Sequence, residues 1–260
     1  MSTSSLPRTL GDGLSLAFRE WNAGAESIPL VLLHGVTGSS ADWIATARNL
    51  GERRIIALDA RGHGQSDWDP GEGYGGDQHF ADLVSALDTL ELERCILAGF
   101  SMGGGVAMIT AAALPDRVAG VVVADTYPDP RMTPGSRRIA GWIAACQGSA
   151  GWFDPAIARQ FNTRLAAGEE DRLDLWPMWE SISCPALIVR GAHSDVLPGP
   201  VANEMVTRQP RAMLETIPGV AHGLPYLRPR ELAGSIAAFA TTVEAPPAGT
   251  GGRVRQEIVG

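Results

Sequence analysis

The chain has 260 residues, a formal net charge of −8 and an apolar share of 45%, which exclude a disordered polymer and suit one large domain or a domain with an insertion. With a pI near 5.1 it lacks the basic face that phosphate neutralisation needs, so nucleic acid is not an expected partner. All 21 basic residues are arginine, so no Schiff-base lysine, P-loop lysine or Ser–Lys dyad is available.

Residues 14–21 alternate in polarity and predict an antiparallel edge hairpin. The runs 28–33, 55–58, 95–98, 121–124 and 186–189 are short, apolar on both faces and stopped by Gly, Asp or His-Gly, as buried parallel strands are. Between them, Phe80, Leu83, Val84, Leu87 and Leu90 share one helical face, with Asp82, Ser85 and Asp88 off it. Residues 102–114 are small and apolar all round, as in a central buried helix, and Pro115 stops them. Alternating β and α elements predict an α/β fold with a mostly parallel sheet flanked by helices.

The rhythm breaks over residues 126–183, which contain three helical patterns, three early prolines and the tryptophans Trp142, Trp152, Trp176 and Trp179. This predicts a small helical cap inserted after strand 6, with residues 1–125 and 184–243 as the core and 244–260 as a flexible tail. No apolar run is long enough to span a membrane, and the start has no signal-peptide pattern. Cys95, Cys146 and Cys184 are widely spaced, which suits a reducing cytoplasm and predicts neither a disulfide framework nor a metal site.

Gly99-Phe100-Ser101-Met102-Gly103 lies between a strand and a helix. A serine in so sharp a turn needs tiny neighbours two residues away, and its hydroxyl then projects at the carboxyl ends of the strands as a nucleophile. Among five histidines, only His222 follows both the nucleophile and a plausible acid, so it is the expected general base. His34 and His63 are expected to fix loops by hydrogen bonds, and His79 to cap a helix or face solvent. The acid has two candidates: Asp195, a few residues past a strand, and Asp125, which ends the preceding strand. The run Arg190-Gly191-Ala192-His193-Ser194-Asp195 favours Asp195, with Asp125 as the alternative.

With these motifs, with His34-Gly35 after a strand and with Asp59-Ala60-Arg61-Gly62-His63-Gly64-Gln65-Ser66, the chain resembles α/β-hydrolase-fold enzymes of the lidded serine esterase type. That resemblance implies an oxyanion hole from the backbone N–H groups of Val36 and Met102 and a reaction without cofactor or metal. It also implies cleavage of a carboxylic ester or lactone through an acyl-serine. Perhydrolase or haloperoxidase-like chemistry, carbon–carbon bond hydrolysis and a non-catalytic small-ligand receptor are the alternatives. The partner is a small molecule, and the protein is expected as a monomer or homodimer. Trp142, Trp152, Phe153, Trp176, Trp179, Tyr127 and Leu224 are the expected pocket residues, implying an apolar or aromatic ligand. Arg131, Arg137 and Arg138 lie near the cap entry, where a substrate carboxylate or plain solvent could face them.

Overall fold

A computed structural model describes residues 7–10, 13–129, 131, 133–146, 151–167 and 174–245. The strands are β1 (Arg8–Leu10), β2 (Ser15–Trp21), β3 (Leu30–Leu33), β4 (Ile55–Leu58), β5 (Cys95–Phe100), β6 (Val118–Ala124), β7 (Ala186–Gly191) and β8 (Ala212–Ile217). They form one sheet in the order β1-β2-β4-β3-β5-β6-β7-β8. The pairs β1–β2 and β2–β4 are antiparallel, and every other pair is parallel. The N-terminal edge hairpin and the parallel core therefore agree with the sequence reading.

Period-two alternation sends neighbouring strand residues to opposite faces, and both faces are apolar because both are covered. Val31, Leu33, Leu97, Val121, Val123 and Ile188 pack under α2 (Gly76–Thr89), α3 (Met102–Ala113) and α7 (Gly199–Arg208). Leu30, Leu32, Ile96, Ala98, Val122 and Val189 pack under α1 (Ile44–Ala47), α8 (Leu224–Leu227) and α9 (Pro229–Glu244). Burying the apolar surface of one such leucine or valine stabilises the fold by about 1.5–3 kcal/mol.

Three helices interrupt the β/α alternation between β6 and β7: α4 (Pro134–Ala145), α5 (Pro155–Ala167) and α6 (Trp176–Ser181). The Leu175 N–H donates to the Pro128 carbonyl at 2.9 Å and closes the base of this insertion. Ile143, Phe153, Ile157 and Ala158 form a buried cluster with Ile139 and Phe161, and Val36 and Tyr74 from the core pack against it. Trp176 and Trp179 instead join the cluster on the sheet face. The last helix of the insertion is thus packed as part of the core rather than as part of a separate roof. Of the tail expected over residues 244–260, Glu244 instead closes α9, and residues 246–260 lie outside the described residues.

Asp82 corrects one detail of the helical pattern in α2. It lies off the apolar stripe yet is buried, because the Arg61 guanidinium meets its carboxylate at 2.7 and 2.8 Å. Removing one partner of such a pair would strand a buried charge, which costs several kcal/mol. The pair anchors the Arg61–Ser66 loop to α2. Asp59 continues the frame, accepting from the Ser40 N–H at 2.6 Å and the Gln65 N–H at 2.8 Å.

Candidate active site

Ser101 sits between β5 and α3 at φ 52° and ψ −116°, a left-handed conformation that costs a non-glycine residue roughly 1–3 kcal/mol. The turn is so tight that a Cβ on Gly99 would run into the Gly103 carbonyl, and one on Gly103 into the Leu33 carbonyl. Glycine at both offsets is therefore a steric requirement of the serine's position. That serine opens the N-terminus of α3, where unpaired N–H groups favour negative charge.

His222 follows β8, and its ring lies 4.7 Å from the Phe100 ring, inclined at 28°. The stacking holds it beside the turn that carries Ser101. Its Nδ1 is 2.7 Å from Oδ2 of Asp125, which is fully buried. Asp125 accepts two further hydrogen bonds, from the Ser194 hydroxyl at 2.7 Å and the Gly191 N–H at 3.3 Å. An ionised carboxylate can only accept, so the tautomer of His222 that fits this contact carries its proton on Nδ1 and leaves Nε2 with its lone pair. No hydrogen bond joins Ser101 Oγ to this ring in the structure. Such contacts often tighten only when substrate binds.

Asp195, the acid favoured by the sequence, does not meet His222. Its carboxylate is bidentate to Arg138 of α4, at 2.5 and 3.0 Å, and its side chain is 42% exposed. The Arg138 guanidinium holds its carboxyl below the usual carboxylate range. The Asp195 carbonyl accepts from the Gly135 N–H at 3.2 Å, and the Thr133 hydroxyl donates to the Val196 carbonyl at 3.2 Å. The β7–α7 loop is therefore a fastening for α4, and the acid beside His222 lies one strand earlier. The physical reason is adjacency: β6 and β7 are paired, and the Asp125 N–H donates to the Val189 carbonyl at 2.8 Å. The two strand ends are neighbours, and Asp125 reaches the histidine by turning at φ 51° directly at the end of its strand.

Ser101, Met102 and Val36 share the wall of a cavity of about 590 Å³. Within the described residues, no acceptor meets the backbone N–H of Val36 or Met102. Two free donors beside a strained serine can bind a negatively charged oxygen. The neighbouring Thr37 N–H is taken by His63 Nε2 at 3.2 Å, and the Gly103 N–H by the His34 carbonyl at 3.1 Å, so both flanks of this pair are pinned.

The cavity is lined mainly by Tyr74, Ile109, Ile139, Ile143, Ile157 and Phe161, from α3, α4, α5 and the loop before α2. Of the expected pocket aromatics only Tyr127 lines it. Trp142 and Trp152 are exposed, at 54% and 53%. Trp179 is buried against α7, its indole N–H donating to the Met205 carbonyl at 2.8 Å. Trp176 is buried under the Arg208 guanidinium, 4.1 Å from the ring centre. Phe153 packs in the α4–α5 cluster and stacks on His63, and Leu224 is sealed in the core under α9. Helix rotation decides which face of α4 looks inward, and it turns Ile139 and Ile143 to the cavity and Trp142 to solvent. The spacing of Ile139 and Ile143, and of Ile157 and Phe161, was the signal available in the sequence.

The arginines at the cap entry are engaged elsewhere. Arg131 pairs with Asp129 at 2.6 Å and Arg138 with Asp195, and Arg137 is not among the cavity-lining residues.

His34 and His63 carry the loop-fixing bonds expected of them. His34 Nδ1 lies 2.7 Å from the Gly35 carbonyl, and its Nε2 accepts from the Ala60 N–H at 2.9 Å. His63 Nδ1 lies 2.8 Å from the Arg61 carbonyl. His79 departs from expectation, being buried rather than solvated. Burial lowers the pKa of all three, His63 well below 6.5 and His79 to about 3.

These three rings make folding acid-sensitive. In the unfolded chain a histidine titrates near 6.5, so below that pH the unfolded state holds protons that the folded state refuses. The stability they contribute is complete above about pH 6.5 and is lost as pH falls, at up to about 1.4 kcal/mol per pH unit for a ring that stays neutral in the fold. Denaturant midpoints should drop between about pH 6 and 4.5, with protons taken up on unfolding chiefly at His63 and His79. A midpoint unchanged across that window would contradict three neutral buried rings.

A serine-bearing elbow, a histidine–carboxylate pair and a helix-roofed cavity at the carboxyl edge of a mostly parallel sheet define an α/β-hydrolase-type site. The sequence profile of the alpha/beta hydrolase family matches residues 30–235, and the chain belongs to that family. It is 27% identical to the 3-hydroxybutyrate-oligomer hydrolase of Cupriavidus necator, over 84% of this chain and 90% of that protein. It is 27% identical to the sn-1-specific diacylglycerol lipase of Mus musculus, over 87% of this chain and 85% of that protein. Among solved structures, an alpha/beta hydrolase from Novosphingobium aromaticivorans superposes with a TM-score of 0.77 at 26% identity, covering 90% of this chain and 97% of that one. Within the described residues, no helix is long and apolar enough to cross a membrane.

Proposed function

We propose that the protein is a serine hydrolase that cleaves a small carboxylic ester or lactone through an acyl-serine intermediate. One observation carries this reading: a fully buried Asp125 holds His222 by Nδ1 at 2.7 Å beside the turn that presents Ser101. In this reading His222 Nε2 takes the proton of Ser101 Oγ as the oxygen attacks the ester carbonyl. The carbonyl oxygen becomes an oxyanion and sits between the N–H groups of Val36 and Met102. His222, now charged and stabilised by Asp125, gives the proton to the leaving alcohol. Water then enters and its oxygen bonds to the acyl carbon as His222 takes one of its protons; the bond to Ser101 Oγ breaks, His222 returns the proton to Oγ, and the carboxylic acid is released.

The relatives named for an oligomer hydrolase and a lipase support hydrolysis as the reaction class. The cavity volume and its isoleucine and phenylalanine walls support an acyl or alkyl chain of modest length. A panel of p-nitrophenyl esters and lactones tests the reading, and turnover of none of them would overturn it.

The cavity walls give a specificity prediction. Ile143→Ala and Phe161→Ala should shift the chain-length optimum of that panel. Each methylene buried against such a wall is worth about 0.8 kcal/mol, a few-fold in kcat/KM per carbon. Trp179→Ala should leave the optimum in place and cost roughly 3–5 kcal/mol of stability, because it empties a packed site away from the cavity. A chain-length profile that follows Trp179 and ignores Ile143 and Phe161 would show the wrong wall to have been identified.

A further inference from the structure

His79 is a buried titratable side chain that the reaction above leaves unused. It lies in the first turn of α2 and is only 7% exposed. Within the described residues, neither ring nitrogen has a hydrogen-bond partner, whereas His34 and His63 use both of theirs. The ring lines the large cavity and also a second cavity of about 30 Å³ behind it. Met102 and Val106 belong to both linings too, so the three residues form the partition between the spaces. With no protein partner on either nitrogen, the ring is available to whatever fills the large cavity.

We propose that His79 is a specificity-determining residue, one that hydrogen-bonds an oxygen function on the substrate, a hydroxyl, ketone or ether, a few bonds from the scissile carbonyl. This rests on the ester-hydrolase reading of the same site. The position follows from Met102, whose free N–H is one of the two groups assigned to the oxyanion and whose side of the partition is shared with His79. A substrate held there brings the atoms next to its carbonyl against the imidazole. Burial, the Arg61 guanidinium and His34 keep the ring neutral. A neutral imidazole offers one donor and one acceptor, so it suits a hydroxyl, a ketone or an ether oxygen and gives no charge to a carboxylate. An apolar residue would serve the rest of this wall equally well, whereas the imidazole keeps its unpaired nitrogens open to the cavity, where a ligand contact replaces water.

The test compares matched ester pairs on wild type, His79→Leu and His79→Gln. The pairs are p-nitrophenyl butyrate against 3-hydroxybutyrate, p-nitrophenyl pentanoate against 4-oxopentanoate, and butyl butyrate against 2-methoxyethyl butyrate. The readout is the ratio of kcat/KM within each pair, which cancels changes in folding or in the nucleophile. His79→Leu should lower at least one oxygenated-to-plain ratio by about tenfold, and His79→Gln should recover part of it. Ratios that all stay within about twofold of wild type would overturn the proposal, since a purely structural ring lowers both members of a pair alike. The same pairs are measured by calorimetry on Ser101→Ala with and without His79→Leu. If wild type hydrolyses no ester, the hydrolase reading fails, and the binding ratios still decide the role of His79: an oxygen preference lost with His79→Leu supports it, and an unchanged ratio overturns it.

Discussion

Replacing Ser101 by alanine is expected to lower kcat by on the order of 10⁶ while the fold persists. The magnitude follows from what is removed. Without Oγ no acyl-enzyme forms, and hydrolysis falls back on water positioned by the cavity and the two free N–H groups. Those groups still bind a developing oxyanion, so a residue of catalysis on the order of 10³ over solvent should remain. Stability should be preserved or slightly raised. Alanine strains the turn at φ 52° about as much as serine does, and the Ser101 hydroxyl makes no hydrogen bond whose loss would count. Circular dichroism and a melting curve would establish the fold, and ester turnover the loss.

The second large effect separates two aspartates. Asp125→Asn should lower kcat by on the order of 10⁴, because an amide can donate to Nδ1 and hold His222 in the wrong tautomer. The proton would then sit on Nε2, where it cannot accept the serine proton. Asn is nearly isosteric, and the Gly191 N–H can still donate to its oxygen, but the Ser194 hydroxyl, which meets the Oδ2 position, loses its acceptor, so a modest stability loss should accompany the large loss in kcat. Asp195→Asn should change kcat only a few-fold. It weakens an exposed pair with Arg138, a class of contact worth about 0–1 kcal/mol, and loosens the fastening of α4. Equal or reversed losses would return the acid to the β7–α7 loop.

Why the sequence favours Asp195 while the structure sets Asp125 against His222 is a matter of range. The elbow is a local steric problem, so it leaves glycines at fixed offsets from Ser101 that can be read directly. The strands are legible for the same reason: each is a run of apolar residues closed by a turn residue. The acid is a long-range choice. Asp125 and Asp195 both precede His222, both follow strands, and those strands are neighbours. Only the path of the chain after β7, which spends Asp195 on Arg138 and Ser194 on Asp125, decides between them. The tryptophans misled for another reason. Bulk and aromaticity identify residues that want burial without saying against what, and Trp179 found α7 while Trp142 found solvent. Isoleucines at helical spacing on α4 carried the weaker signal and line the cavity. The place of His79 in the first turn of α2 is visible in the sequence, whereas the α3 residues Met102 and Val106 beside it in the fold are not.

Ser101, His222 and Asp125 should act as one unit. Reaction with a fluorophosphonate followed by mass mapping tests this most directly, since phosphonylation needs an activated serine and no knowledge of the natural ester. Wild type should carry one adduct, on Ser101. His222→Ala and Asp125→Asn should lose the fast labelling, and Asp195→Asn should keep it. An adduct on another residue, or fast labelling of Ser101 that survives in Asp125→Asn and vanishes in Asp195→Asn, would contradict the account.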